Sequence, residues 1–134
     1  MRFEDNISYF YEFPGGKITC CESFFDAVRR EVKEETGLHI TEILGEENGN
    51  RCGINNIEVE CFKPFSVYQT VKGNKDSLGV HLICRAEGEL LSEGDNTRDI
   101  KWIGLDVLQT MVDEGLFSIS DKGAALFYLK ENGY

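Results

Sequence analysis

The chain has 134 residues, of which 41% are hydrophobic, and a formal net charge of -10 from 24 acidic and 14 basic residues. This length and apolar fraction suffice for a real core, so residues 1–134 are predicted to form one domain. The acidic balance argues against non-specific binding of nucleic acid, because phosphate binding needs clustered Lys and Arg.

Two further patterns concern the environment of the chain. No apolar run approaches the roughly 20 residues of a membrane span, and the N-terminus lacks the form of a secretory signal, so a cytoplasmic location without membrane contact is predicted. The cysteines are odd in number and lack the paired spacing of a zinc site. They are predicted to be reduced and mostly buried, and they are Cys20, Cys21, Cys52, Cys61 and Cys84.

The first predicted elements are a strand and a helix. Residues 8–13 are aromatic and strand-like, and Pro14 begins the turn that ends them. A helix is predicted to begin after Ser23, because Ser23 and Asp26 have the spacing of a capping box. Gly37 is predicted to end this helix.

Antiparallel strands and two closing helices are predicted for the rest of the chain. The predicted strands lie near 38–47, 57–71, 78–88 and 100–103. The predicted helices lie near 105–114 and 121–131. Together these elements predict an α+β fold, a sandwich of one mixed sheet and its helices.

The first helix carries carboxylates on its apolar side. At about 100° per residue, Glu31 and Glu35 project into the sector of Val28 and Val32, and Glu34 lies at its flank. Close anions on a partly buried face repel each other and lose solvation unless a partner compensates. Mg²⁺ or Mn²⁺ would compensate with a preference for hard oxygen ligands, so the pattern indicates a metal site. The open alternative is a solvated acidic face paired with Lys and Arg.

Residues 16–38 resemble the Nudix box, G-x5-E-x7-R-E-U-x-E-E-x-G-U, where U is an aliphatic residue. Every defined position matches: Gly16, Glu22 after five residues and, after seven more, the run Arg30-Glu31-Val32-Lys33-Glu34-Glu35-Thr36-Gly37-Leu38. The preceding Pro14-Gly15 is also typical of the family. The resemblance implies a Nudix-type α/β/α sandwich and a hydrolase that cleaves a nucleoside diphosphate linked to another moiety, X, with Mg²⁺ or Mn²⁺.

The resemblance also implies roles for residues within the box. By box position, Glu31, Glu34 and Glu35 would be the metal ligands, with the Gly16 carbonyl as a candidate further ligand. Arg30 would orient a box carboxylate through a charge-assisted bond. In this family the metal ions neutralise the pyrophosphate oxygens and lower the pKa of a water that attacks phosphorus.

The catalytic base is not fixed by the box. In this family it is either a box glutamate or an acid on a later loop. Glu93 is the first candidate for the later acid and Asp99 is the second, while a merely solvated acidic loop is the alternative for each. Glu22 would help to hold the loop against the helix.

The substrate class is weakly marked. Tyr9, Tyr11, Phe65 and Tyr68 are candidates to stack on a nucleotide base, although aromatic residues in strands are commonly core or cross-strand partners. His39 and His81 are given no catalytic role, because a histidine without a matched partner is commonly structural. The alternative to an enzyme is a catalytically idle Nudix-fold module that binds a nucleotide or regulates.

The chain departs from the family at its N-terminus. Family members usually have a strand and a hairpin before the aromatic strand, whereas here only thirteen residues precede Pro14. The usual first strand is therefore predicted to be missing. A missing strand exposes a sheet edge, so a homodimer that covers this edge is predicted.

Overall fold

The computed structural model describes residues 2–3 and 9–134, and of Arg2, Phe3 and Tyr9 it describes the backbone alone. The helices are α1 (Phe24–Thr36), α2 (Leu105–Asp113) and α3 (Ile119–Glu131). The strands are β1 (Arg2–Phe3), β2 (Tyr9–Phe10), β3 (His39–Ile43), β4 (Asn50–Ile54), β5 (Ile57–Cys61), β6 (Ser66–Gln69), β7 (Leu78–His81), β8 (Cys84–Glu87), β9 (Glu93–Gly94) and β10 (Thr97–Arg98). This mixture of helices and strands agrees with the predicted α+β class.

The described strands form antiparallel pairs. The pairs are β1 with β2, β3 with β8, β4 with β5, β6 with β7 and β9 with β10. A parallel bridge also joins Tyr11 to Phe117. Within the described residues, the strands thus form separate two-stranded sheets and not the predicted single mixed sheet.

Several predicted strands are shorter than expected. The stretch 57–71 is divided into β5 and β6, with Pro64 between them, because proline has no N–H to donate to a ladder. The stretch 78–88 is divided as well, since β7 pairs with β6 whereas β8 pairs with β3. The predicted strand at 100–103 is wrong, because these residues are irregular.

Of the hairpin formed by β4 and β5, the sequence predicted only the second strand. β4 lies outside the strands expected from the sequence, and it pairs with β5 over its full length. Asn55 and Asn56 form the two-residue turn, with φ values of 50° and 64°. Positive φ at both central residues is what tight hairpin turns require, and asparagine tolerates it.

Buried apolar side chains form two clusters. The first packs α2 against α3 and comprises Leu108, Met111, Val112, Phe117, Ala125 and Leu129. The second packs α1 against β3 and comprises Phe25, Val32, Leu38, Ile40 and Ile43. The second cluster fixes the helix that carries the box glutamates, while the first contacts Tyr11 and Phe13, just before the box.

α1 begins and ends where predicted, but its first turn is capped differently. Ser23 and Asp26 do not form the expected capping box, since Ser23 makes no side-chain cap bond. Ser23 Oγ instead donates to Glu60 Oε2 at 2.6 Å, and Phe24 N donates to Glu60 Oε1 at 3.0 Å. A carboxylate from β5 therefore binds the helix N-terminus, where negative charge is favoured. At the other end Gly37 has a φ of 82° and donates to the Lys33 carbonyl.

The prediction of mostly buried cysteines is wrong. All five are free, four are exposed and Cys84 is partly buried. Cys20 and Cys21 lie in the loop before α1, and Cys52 and Cys61 lie on the exposed β4–β5 hairpin. Burial raises the pKa of the Cys84 thiol. In the described part of the chain, none of the helices has the length and apolar character to cross a membrane.

Candidate active site

Arg30 lies at the centre of a group of carboxylates. Its Nε and Nη2 donate to the two carboxylate oxygens of Glu22, each at 2.9 Å. Its Nη1 donates to Glu31 Oε1 at 2.7 Å and, more weakly, to Glu34 Oε2 at 3.4 Å. Nη2 also reaches the Lys17 carbonyl at 3.1 Å. One guanidinium thus ties the loop before α1 to two carboxylates of the helix.

The electrostatics of this group follow from the same bonds. Hydrogen bonding from Arg30, followed by that from the Thr19 backbone, lowers the pKa of Glu22 from 4.5 to about 2. The bonds to Glu22 and then to Glu31 raise the pKa of Arg30 above its usual value. Thr19 N and Oγ1 donate to Glu22 Oε1 at 3.1 and 3.0 Å. Glu22 is therefore ionised at neutral pH and holds the loop against α1.

The glycines before this loop adjoin the other box carboxylates. A Cβ atom at Gly16 would overlap the carboxylate of Glu31, so only glycine fits there without displacing it. Gly15 N donates to Glu35 Oε2 at 2.9 Å, and Glu35 is only 4% exposed. The side chain of Glu31 is 15% exposed and that of Glu34 is 44% exposed. The structure thus places Gly16 against Glu31 and Gly15 against Glu35, along the C-terminal half of α1.

Segment 91–97 caps the C-terminal end of α1. Carbonyl groups in the last turn of a helix have no partner within the helix, and this segment supplies donors for them. The contacts are Leu91 N to the Thr36 carbonyl at 2.9 Å, Asp95 N to the Glu34 carbonyl at 3.0 Å and Thr97 Oγ1 to the Glu35 carbonyl at 2.9 Å. Glu93, the first candidate for the later acid, is exposed on β9 within this segment.

Asp99, the second candidate, belongs to a different group of side chains. The Tyr11 hydroxyl donates to Asp99 Oδ2, and Lys101 Nζ lies 3.4 Å from the same oxygen. Lys101 Nζ also lies 4.8 Å from the centre of the Tyr11 ring. Hydrogen bonding from Tyr11, and then from Lys101, lowers the pKa of the Asp99 carboxyl.

The remaining candidate substrate-binding residues contact other aromatic groups. Phe65 packs edge-on against Tyr128, with ring centres 6.2 Å apart. Tyr68 shares a hydrogen bond of 3.0 Å with Ser77, and its ring centre lies 5.6 Å from that of His81. The prediction for the Tyr9 side chain falls outside the described residues.

His81 and Asp121 form a pair that the sequence pattern did not signal. His81 Nε2 lies 2.7 Å from Asp121 Oδ1, and Phe13 N donates to Asp121 Oδ2 at 2.9 Å. The pair thus connects α3 to the segment that leads into the box. Forty residues separate the two partners, so no local spacing could have predicted their contact. The expectation that His81 lacks a matched partner is therefore wrong, because Asp121 supplies one.

The fit of these residues to a metal ion rests on their donor chemistry. Among the described residues, no three His, Cys, Asp or Glu side chains converge in an arrangement that could hold a metal. Glu31 and Glu34 turn toward Arg30, while Glu35 accepts a bond from Gly15. Their carboxylates nevertheless supply the hard oxygen donors that Mg²⁺ and Mn²⁺ prefer.

A family model described as NUDIX domain matches residues 2–122. This range includes the loop before α1, the whole of α1 and segment 91–97, so the resemblance predicted from residues 16–38 is confirmed. No curated protein and no solved structure gave a significant match to the chain.

Proposed function

We infer that this chain, which belongs to the Nudix family, is an Mg²⁺- or Mn²⁺-dependent pyrophosphohydrolase. The family in general hydrolyses the pyrophosphate bond of a nucleoside diphosphate linked to another moiety, X. Small nucleotide derivatives are therefore the proposed substrates. The inference goes beyond family membership in assigning metal dependence and turnover to the residues of this chain.

One observation carries the proposal: Arg30 and the Gly15–Gly16 segment hold the box carboxylates of α1 against the preceding loop. Glu31 is bound by Arg30 and lies directly over Gly16, and Glu35 accepts the Gly15 amide. A face built only for solubility would have no reason to bury Glu35 or to exclude a side chain at position 16. The arrangement thus favours a functional site over the solvated face that the sequence left open.

The proposed metal ligands are Glu31, Glu34 and Glu35, with the Gly16 carbonyl as a further ligand. When bound, the metal would offset the charge of the pyrophosphate oxygens and favour ionisation of the attacking water. Arg30 is proposed as a positioning residue, because it acts on substrate through the carboxylates that it holds. Hydrogen bonds to Glu22 and then to Glu31 raise its pKa, so the guanidinium stays charged at neutral pH.

Glu93 is proposed as the general base. It lies on the segment in which Asp95 N and Thr97 Oγ1 donate to the backbone carbonyls of Glu34 and Glu35. Asp99 is a weaker candidate, because hydrogen bonds from Tyr11 and Lys101 lower its pKa and make it a poorer proton acceptor. Tyr9, Tyr11, Phe65 and Tyr68 stay proposed base-stacking residues.

The test is a phosphate-release screen with and without Mg²⁺ or Mn²⁺. The panel contains canonical and oxidised nucleoside triphosphates, nucleotide sugars, ADP-ribose and dinucleoside polyphosphates, with coupling to a pyrophosphatase or phosphatase. Metal-dependent hydrolysis of one class is expected and would name the substrate. A folded protein that Mg²⁺ stabilises without turnover on any substrate would instead favour the idle binding module.

Matched variants test the residue assignments. Glu34→Gln and Glu35→Gln are each expected to lower turnover by orders of magnitude with little change in the melting temperature. Glu47→Gln, in the exposed turn after β3, is the control and should leave turnover unchanged. Near-normal activity in either box variant would remove that glutamate from the proposed metal site. An unchanged rate in Glu93→Gln would move the base to Asp99 or into the box.

A further inference from the structure

Two adjacent thiols lie side by side in the loop before α1. Cys20 and Cys21 are both exposed, and their Sγ atoms are 3.6 Å apart. In an extended chain, successive side chains point to opposite faces. Here the chain turns at these residues and Cys21 adopts a φ of 61°, a conformation that is uncommon for a residue with a side chain. The turn therefore presents both sulfur atoms on the same side of the loop.

This separation does not suit a direct bond between the sulfur atoms. A disulfide needs the sulfur atoms at about 2.05 Å and Cα atoms at least about 4.4 Å apart in ordinary cases. Consecutive Cα atoms are only about 3.8 Å apart across a trans peptide bond, so a disulfide here would be strained. A stable structural disulfide between Cys20 and Cys21 is therefore not expected.

The separation does suit a single soft atom bonded to both sulfur atoms. An atom about 2.3 Å from each sulfur, with an angle of roughly 100° between the two bonds as at pyramidal trivalent arsenic, places the sulfur atoms about 3.5 Å apart. The observed 3.6 Å is close to that value before any ligand binds. Thiolate ligands also select soft ions over Mg²⁺ or Mn²⁺, so this pair does not duplicate the proposed carboxylate site.

The residues around Cys20 and Cys21 indicate which kind of ligand the two thiols can bind. Among the described residues, no third His, Cys, Asp or Glu side chain completes a metal-binding group with these two thiols. A metal ion that requires four protein ligands would lack two of them here. A trivalent arsenical needs only two sulfur atoms, because an organic substituent already occupies the third bond of arsenic. We propose that Cys20 and Cys21 form a chelating dithiol site for trivalent arsenicals.

The binding reaction is balanced without an oxidant. With phenylarsine oxide, each sulfur forms one bond to arsenic while the bond between arsenic and oxygen breaks. The oxygen takes the two thiol protons and leaves as water. Arsenic stays trivalent and neither cysteine is oxidised.

The experiment measures capture of phenylarsine oxide by the full chain in the presence of excess monothiol, which removes arsenic held by one cysteine only. Intact-mass spectrometry should show one phenylarsenic group per chain, and peptide mapping should place it on Cys20 and Cys21. A dithiol competitor should release it. Because the second bond is intramolecular, Cys20→Ser or Cys21→Ser should each weaken capture about 100-fold or more.

The other exposed thiols provide the control. The double variant Cys52→Ser/Cys61→Ser should capture the arsenical as the wild type does. Wild-type affinity in Cys20→Ser, or a label that maps to Cys52 or Cys61, would overturn the proposal. Mapping on the wild-type chain needs no variant to fold, and the readout is independent of the proposed hydrolysis.

Discussion

Replacement of Gly16 by alanine should lower turnover strongly while it changes the free energy of unfolding only slightly. A Cβ atom there would lie 2.6 Å from Glu31 Oε1 and closer still to the rest of the carboxylate, whereas ordinary contact begins at 3.4 Å. The carboxylate must therefore move by about 1 Å, and a misplacement of that size can cost about 100-fold in rate. The displaced group is the end of a flexible side chain, so the free energy of unfolding should change by less than about 1 kcal/mol.

Gly15→Ala is the matched control. A Cβ atom at Gly15 meets nothing within 4 Å, and alanine keeps the amide that binds Glu35. This variant should keep wild-type turnover and gain about 0.4–1 kcal/mol of stability, because alanine restricts the unfolded chain. The assay combines metal-dependent turnover on the substrate found in the screen with urea denaturation. Equal turnover in the two variants would refute the reasoning, since the present position of Glu31 would then not be the one that catalysis uses.

Three further outcomes are expected. Glu60→Ala should lower the free energy of unfolding in urea by about 2 kcal/mol, because it removes two bonds to the start of α1. Glu58→Ala should cost less than about 0.5 kcal/mol, since this side chain is exposed and forms a surface ion pair with Arg51, and equal losses would reject the capping role. The pKa of Glu22 falls from 4.5 to about 2 on folding, so its stabilisation is complete above pH 4.5 and is lost as pH falls toward 2. Denaturation at stepped pH should show the stability difference between wild type and Glu22→Gln shrinking over that window, and a constant difference would contradict the assignment. Removal of divalent metal by a chelator should abolish turnover and lower the melting temperature relative to Mg²⁺-saturated protein, and activity that survives chelation would contradict metal dependence.

The sequence predicted the parts of the molecule that local patterns determine. α1 begins after Ser23 and ends at Gly37, because the apolar period and the glycine stop are local signals. The box spacing likewise identified the family before any fold was known. The single domain, the cytoplasmic location and the homodimer are not tested by the structure and stay predictions.

What the sequence did not predict depends on contacts between distant residues. The box resemblance implied that Arg30 orients a carboxylate of the helix, but it did not indicate that both carboxylate oxygens of Glu22 bind the same guanidinium. The cap from Glu60 was likewise hidden, because 36 residues separate it from Phe24. The cysteines were misjudged because the general tendency of free cysteine to be buried does not hold in an exposed loop or on an exposed hairpin.

The bonds between segment 91–97 and the last turn of α1 have a consequence for local opening of the chain. The amides of Leu91 and Asp95 are bonded to helix carbonyls, so they can exchange with solvent only when this junction opens. Their exchange rates would therefore follow those of the final turn of α1 and not those of an ordinary surface loop. Glu93 and the box glutamates would then belong to one cooperative unit, which opens and closes as a whole.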